Sequence, residues 1–171
     1  MAKLHSSFVV VVVLLMPMVL SCSNRDAALD SFNRGVEASE GGNYDLAITC
    51  FTEAIRLDPN LAMAYYNRGN ACSKKGELDK AIADYTEAIR LNPKYADAYY
   101  NRGHTYDEKG ELVKAIADYT EAIRLDPNLA VAYYSRGCAY DDMGEHVKAI
   151  ADYNEVDSAR SVRFSLLTPA G

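Results

Sequence analysis

The hydrophobic and polar positions of the chain repeat with the spacing of helices. Between residues 62 and 95 a first stripe consists of Tyr65, Gly69 and Cys72, at positions i, i+4 and i+7. Gly76 follows among polar residues, as expected of a glycine with positive φ just past a helix end. A second stripe then consists of Ala81, Tyr85, Ala88 and Ile89. Two such stripes predict a helical hairpin, and therefore an all-α chain.

This hairpin pattern recurs every 34 residues. The sequence AIADYTEAIRL over 81–91 returns unchanged over 115–125, and Pro59, Pro93 and Pro127 keep the same spacing. The repeat predicts four units, 28–61, 62–95, 96–129 and 130–163, followed by a tail over 164–171. Because a single hairpin cannot bury both of its apolar stripes, neighbouring units are expected to stack.

The unit resembles the tetratricopeptide repeat, with an aromatic residue and Gly in its first helix, Ala–aromatic–Ala in its second, and a closing Pro. The resemblance implies a right-handed α-α superhelix, a solenoid of about four helical hairpins. It also implies a concave groove, lined by the first helices, that holds partner peptides. The fourth unit departs from the pattern: it lacks the Pro, and Val156 and Asp157 replace an Ala and an Ile. Its second helix is therefore expected to lose its apolar face halfway.

The N-terminus carries an export signal. Residues 8–20 are almost wholly apolar, but this run is shorter than the ~20 residues of a membrane-spanning helix, so residues 1–21 are interpreted as a signal peptide. Its end, Val19-Leu20-Ser21-Cys22, resembles the lipobox of bacterial lipoproteins. This predicts a lipid on Cys22 and a short tether, 22–27, before the first helix at Ala28. The alternative is ordinary signal-peptide cleavage, with Cys22 incidental and the chain secreted without an anchor.

The charge balance limits the possible partners. The chain carries 18 Lys and Arg against 24 Asp and Glu, with no long basic run, which argues against a nucleic-acid surface. Cys50, Cys72 and Cys138 are too widely separated to indicate a disulfide framework or a zinc motif. No glycine-rich phosphate loop is present, so no cofactor is predicted.

One group of side chains could in principle suggest a metal site or an enzyme. His104, Asp107, Cys138 and Asp141 occupy equivalent positions in two successive units and should line one surface. Equivalent positions in stacked helices lie ~10 Å apart, however, too far for shared coordination. We therefore interpret the four as variable groove residues, and predict neither a metal site nor an enzyme.

An arginine precedes the glycine of the first helix in every unit. Three of these arginines have an aspartate 16 residues later, which predicts the pairs Arg68–Asp84, Arg102–Asp118 and Arg136–Asp152 within the hairpins. In the first unit Cys50 holds the aspartate position, so Arg34 is expected to lack that partner.

A second stripe on each first helix faces away from the predicted core. In the family that the chain resembles, these positions face the groove, and they predict a row of aromatic rings with amides beside it. A binding surface is favoured over a purely structural role for the rings. The predicted partner-binding residues are Phe32, Tyr66, Asn67, Asn70, Tyr100, Asn101, His104, Asp107, Tyr134, Cys138 and Asp141.

The chemistry of the groove narrows the partner. Family members that bind chaperones hold a C-terminal carboxylate with lysines, but Phe32, Tyr66 and Tyr100 occupy the positions where the first such lysine would stand. The acidic groove residues favour basic or neutral partners. We therefore expect a non-enzymatic adaptor for a peptide or protein, anchored by lipid in the bacterial cell envelope and facing the periplasm, with the outer membrane favoured. The alternative is a secreted interaction module.

Overall fold

The computed structural model describes the backbone of residues 24–167 and side chains as far as residue 157. The described part of the chain forms helices and turns without strands. Cys22 and the signal segment lie outside it. The helices are α1 (24–40), α2 (Tyr44–Leu57), α3 (Ala62–Lys74), α4 (Leu78–Leu91), α5 (Ala96–Glu108), α6 (Leu112–Leu125), α7 (Ala130–Asp142) and α8 (His146–Leu167).

Consecutive helices pair as hairpins, and each hairpin packs against the next. From α3 onward, a helix contacts its hairpin partner, and every second helix also contacts the first helix of the following unit. The all-α solenoid predicted from the repeat is therefore confirmed. No helix in the described range is both long and apolar enough to cross a membrane.

The turn inside each hairpin depends on a glycine with positive φ. Gly76 has φ of +74°, and the corresponding glycines of the other units lie between +73° and +76°. Side chains are disfavoured in this left-handed region because the Cβ atom crowds the backbone, whereas glycine adopts it freely. The amide of Glu77, just after Gly76, then donates to the carbonyl of Cys72 at 2.9 Å, which closes the end of α3.

Two helix ends differ from the prediction. Residues 24–27, predicted to belong to an extended tether, are already helical, as expected for a segment with an acidic first turn and two alanines. Helix α8 has 22 residues, whereas α2, α4 and α6 have 14. The reason is that Ser161 stands where Pro59, Pro93 and Pro127 end the other second helices. The helix therefore continues past the predicted end of unit four.

Small residues fill the contacts between helices, with one aromatic ring in each hairpin. Ala81, Ala88, Ala115 and Ala122 are fully buried, and Tyr85 and Tyr119 are among the largest buried side chains. Small side chains let helix axes approach closely, and the rings occupy the remaining volume. This packing fixes the positions of the first helices, which line the predicted groove.

Candidate functional site

Each predicted Arg–Asp pair joins the two helices of one hairpin. Arg102 donates from Nε and Nη2 to the two carboxylate oxygens of Asp118, at 2.7 and 2.8 Å. Arg68–Asp84 and Arg136–Asp152 have the same two-bond geometry at 2.7–2.8 Å. The three predicted pairs are therefore confirmed.

Each of these arginines also reaches the preceding unit. Arg102 donates from Nη1 to Thr86 Oγ1 at 3.0 Å, and its guanidinium lies 5.6 Å from the centre of the Tyr99 ring. Arg68 and Arg136 repeat both contacts, with Thr52 and Thr120 as acceptors. The threonines were missed from the sequence, although they stand 16 residues before each arginine as regularly as the aspartates follow it.

A second type of bond crosses two of the contacts between units. Lys75 pairs with Asp45, and Lys109 with Asp79, both at 2.5 Å. At the next contact the equivalent residues are Met143 and Val113, so that ion pair is replaced by two apolar side chains. The attachment of the fourth unit therefore differs chemically from the attachments before it.

The aromatic row of the first helices packs on the second-helix rings. Ring centroids lie 5.7 Å apart for Phe32–Phe51 and 5.8 Å apart for Tyr134–Tyr153, and the two middle pairs are similar. Exposure rises along the row, from 8% for Phe32 to 56% for Tyr134. Phe32, predicted as a groove ring, is therefore a core residue, because its hydrophobic cluster is also covered by Leu61 of the next unit. Tyr134 is the ring most open to a partner.

A hydrogen-bonded network joins the second and third units beneath the groove. Asn101 donates from Nδ2 to Asn70 Oδ1 at 2.9 Å and to Tyr66 Oη at 3.0 Å. The Tyr85 hydroxyl also donates to Asn70 Oδ1, at 2.8 Å. Asn67 is engaged differently, since its amide donates to the carbonyl of Met63 in its own helix. Part of the predicted amide row is thus committed to holding two units together.

Tyr95 covers one of the groove rings. It stands where other units have Leu61 and Leu129, and its ring centroid lies 4.8 Å from that of Tyr66. Burial raises the pKa of Tyr95 to about 12, so its hydroxyl stays protonated at neutral pH. Tyr66 is consequently less available to a partner than Tyr134.

A cleft of about 590 Å³ opens above the amide network, between the second and third units. Its lining is mostly polar and consists of Asn70, Ser73, Lys74, Tyr85, Tyr100, Asn101, His104 and Glu108. Four of these, Asn70, Tyr100, Asn101 and His104, were predicted as partner-binding residues. Lys74 and Glu108 were missed, although each stands one helical turn after a predicted groove residue.

In the third and fourth units, carboxylates take the place of the amide network. The Tyr119 hydroxyl lies 3.4 Å from Asp107 Oδ2, and the Tyr153 hydroxyl donates to Asp141 Oδ2 at 3.1 Å. Burial, together with the nearby Asp107 carboxylate, raises the pKa of Tyr119. His146 Nδ1, 3.0 Å from Asp141, lowers the pKa of that carboxyl. Asp107 and Asp141 are thus positioned by phenols at the groove.

The His, Cys and Asp residues of this region form pairs with their neighbours. His104 Nδ1 lies 3.7 Å from Glu108, and Cys138 Sγ lies 3.6 Å from the Tyr153 hydroxyl. Within residues 24–157, no group of three or more His, Cys, Asp or Glu side chains converges as metal ligands would. The geometry is that of a polar binding surface.

Comparison with known families identifies the repeat. Descriptions of "TPR repeat" match residues 39–76 and 69–110, and descriptions of "Tetratricopeptide repeat" match 96–129 and 118–151. Together the matches run without a gap from residue 39 to residue 151. A search of the curated proteins finds no match.

Several solved structures share the fold over most of the chain. A crystal structure of MamA is 31% identical, with a TM-score of 0.80, over 87% of this chain and 86% of that one. The first TPR domain of Spaghetti (RPAP3), bound to the HSP90 peptide SRMEEVD, is 28% identical, with a TM-score of 0.69, over 70% and 95%. The Arabidopsis OM64 TPR domain is also 28% identical, with a TM-score of 0.68, over 69% and 98%.

Proposed function

The chain belongs to the tetratricopeptide repeat family, and from this we propose that it is an adaptor that holds a segment of a partner protein in its groove. The fold is that of a protein–protein interaction module. The observation that carries the proposal is the open half of the groove, where the exposed Tyr134 ring lies beyond a polar cleft of about 590 Å³. A rigid ring beside amides and carboxylates can bind both the side chains and the backbone of a peptide.

A related structure supports the peptide as ligand class. The RPAP3 domain, which covers 70% of this chain, holds a seven-residue peptide. The fixed helices of a solenoid suit such a ligand because little of the protein has to be ordered on binding.

The proposed location is the periplasmic side of a bacterial envelope membrane, with the outer membrane favoured and a lipid on Cys22 as the anchor. This part rests on the apolar run 8–20 and the Val19-Leu20-Ser21-Cys22 ending. Because residues 24–27 are already helical, they span only ~6 Å, at ~1.5 Å per residue. The first hairpin would then lie close to the bilayer, and the groove would open away from it toward Tyr134.

The groove is tested by selecting binders from a random library of 12-residue peptides displayed on phage, with the full chain immobilised in detergent. Selected peptides are then measured against Tyr134→Ala and against Val113→Ala as the control. Val113 is 70% exposed on the second helix of its unit, away from the first-helix groove stripe. We expect Tyr134→Ala to weaken binding about tenfold or more and Val113→Ala to leave it unchanged.

Equal binding to both variants would show that peptides attach elsewhere and would end the groove proposal. The location is tested separately, because a secreted module would bind the same peptides without a lipid. Mass spectrometry of the N-terminal peptide distinguishes an acylated Cys22 from an unmodified one.

A further inference from the structure

Charge divides the groove into two halves. The first-helix stripe of units one and two carries no charged residue at its five positions, which are Leu29, Phe32, Asn33, Val36 and Ser39, then Met63, Tyr66, Asn67, Asn70 and Ser73. The same positions in units three and four include Asp97, Asp107 and Asp141. Glu108 and Asp142 each follow one residue after the last two. The half of the groove that contains the most exposed ring is therefore the acidic half.

Elsewhere on the described surface, acidic side chains are largely neutralised by nearby cations. Two such pairs, Lys75–Asp45 and Lys109–Asp79, cross contacts between units. The remainder lie within single units: Glu53–Arg56, Glu77–Lys80, Glu87–Arg90, Glu111–Lys114, Glu121–Arg124 and Glu145–Lys148. The three buried aspartates pair with Arg68, Arg102 and Arg136.

The groove carboxylates have no such compensation. Among the residues that the structure describes, no Lys or Arg lies within ion-pair distance of Asp97, Asp107, Glu108, Asp141 or Asp142. Their nearest polar neighbours are the phenols of Tyr119 and Tyr153 and the imidazoles of His104 and His146. Five carboxylates on one concave surface therefore keep a negative potential that the rest of the protein has largely cancelled.

We propose that the second half of the groove binds a segment rich in lysine or arginine on a partner protein. This inference rests on the proposed function and adds the charge of the ligand to it. A cation between Asp107 and Asp141 would supply the compensation that the protein itself lacks there. The exposed face of Tyr134 could also receive a guanidinium or an aliphatic lysine stem. An acidic segment such as SRMEEVD, held by the RPAP3 domain, would meet repulsion at the same place.

The test uses the peptides selected above whose binding is lost in Tyr134→Ala. Each is synthesised in three forms: as selected, with every Lys and Arg replaced by Gln, and with every Lys and Arg replaced by Glu. We expect the selected forms to carry net positive charge, the Gln forms to bind about tenfold more weakly and the Glu forms more weakly still. The difference should shrink when salt rises from about 0.05 M to about 0.5 M, because salt screens exposed charges.

A matched pair of protein variants locates the charge. The triple variant Asp97→Asn, Asp107→Asn, Asp141→Asn should bind the selected and Gln forms nearly equally. The control Glu53→Gln, Glu87→Gln, Glu121→Gln changes the net charge by the same amount on the second helices and should keep the preference. Circular dichroism establishes that both variants remain folded.

The two proposals fail in different ways. Groove-dependent peptides that are neutral or acidic, or a preference that survives the triple groove variant, would overturn the charge inference and leave the groove intact. Selected peptides that bind Tyr134→Ala as well as they bind the native chain would overturn both.

Discussion

Gly103 lies so close to Tyr119 that an added Cβ would stand 3.0 Å from two carbons of the ring. The same atom would lie 3.1 Å from Asp118 Cβ, so the ring cannot simply turn away. This contact recurs in all four units, and it is the reason that a glycine occupies the middle of each first helix. Helix–helix distance in the hairpins is thus set by the absence of one methyl group.

Gly103→Ala should therefore destabilise the chain by about 1–3 kcal/mol through overpacking, although alanine favours a helix more than glycine does. The control is Gly41→Ala, since a Cβ there would approach only backbone oxygens of its own turn, at 3.4 Å or more. Urea denaturation followed by circular dichroism measures both. A Gly103→Ala variant as stable as the native chain would mean that the hairpin relaxes around the contact.

The Arg102–Asp118 pair should contribute more to stability when intact than either residue contributes alone. Asp118→Asn leaves the half-buried guanidinium without its carboxylate and should cost about 1.5–3 kcal/mol. Replacing both residues, with Arg102→Met and Asp118→Leu, should recover part of that loss because no unpaired charge remains. A double variant less stable than Asp118→Asn in the same urea experiment would contradict this account.

The first unit offers a converse experiment. Cys50 is buried where the other units have aspartate, and Arg34 is exposed. Cys50→Asp should be tolerated because Arg34 can form the pair seen three times elsewhere. The same change with Arg34→Met should cost about 2–3 kcal/mol more, because the new carboxylate is then buried alone. Equal stability of the two variants would show that Arg34 does not reach position 50.

Phe32 and Tyr134 should respond oppositely to truncation. Phe32→Ala removes a buried ring that packs on Phe51, and should lower stability by about 3–5 kcal/mol while the folded fraction still binds peptide. Tyr134→Ala should change stability little and weaken peptide binding about tenfold. Thermal melts and anisotropy titrations on membrane-bound chain separate the effects. Greater loss of binding at Phe32 than at Tyr134, after correction for unfolded chain, would refute this order.

These ring positions indicate how far the sequence could predict the structure. The hairpins, the positive-φ glycines and the Arg–Asp pairs were predictable because each recurs at a fixed spacing set by contacts inside one unit. The burial of Phe32 was not, because it depends on how Leu61 of the next unit packs over its cluster. The pairing of Asn101 with Tyr66 and Asn70 likewise depends on the offset between units, which the repeat length does not specify.

The lipid anchor makes a prediction independent of the groove. Cys22→Ala should move the chain from the membrane to the soluble fraction, because the acylated sulfur is the proposed attachment. Cys138→Ala, which changes a groove cysteine, should leave it on the membrane. Fractionation followed by immunoblotting measures this, and a Cys22→Ala chain that stays membrane-bound after signal cleavage would refute the lipobox interpretation.

The contacts of Arg102 extend beyond its own hairpin. The guanidinium bonds Asp118 on α6 and Thr86 on α4 while it is carried by α5. Separating the second unit from the third therefore removes one ligand of the group that also holds the third unit closed. In a linear array whose stability is a sum of unit and nearest-neighbour terms, a residue shared in this way makes the two terms interdependent. Neighbouring hairpins should then lose structure together, so that the stack melts cooperatively.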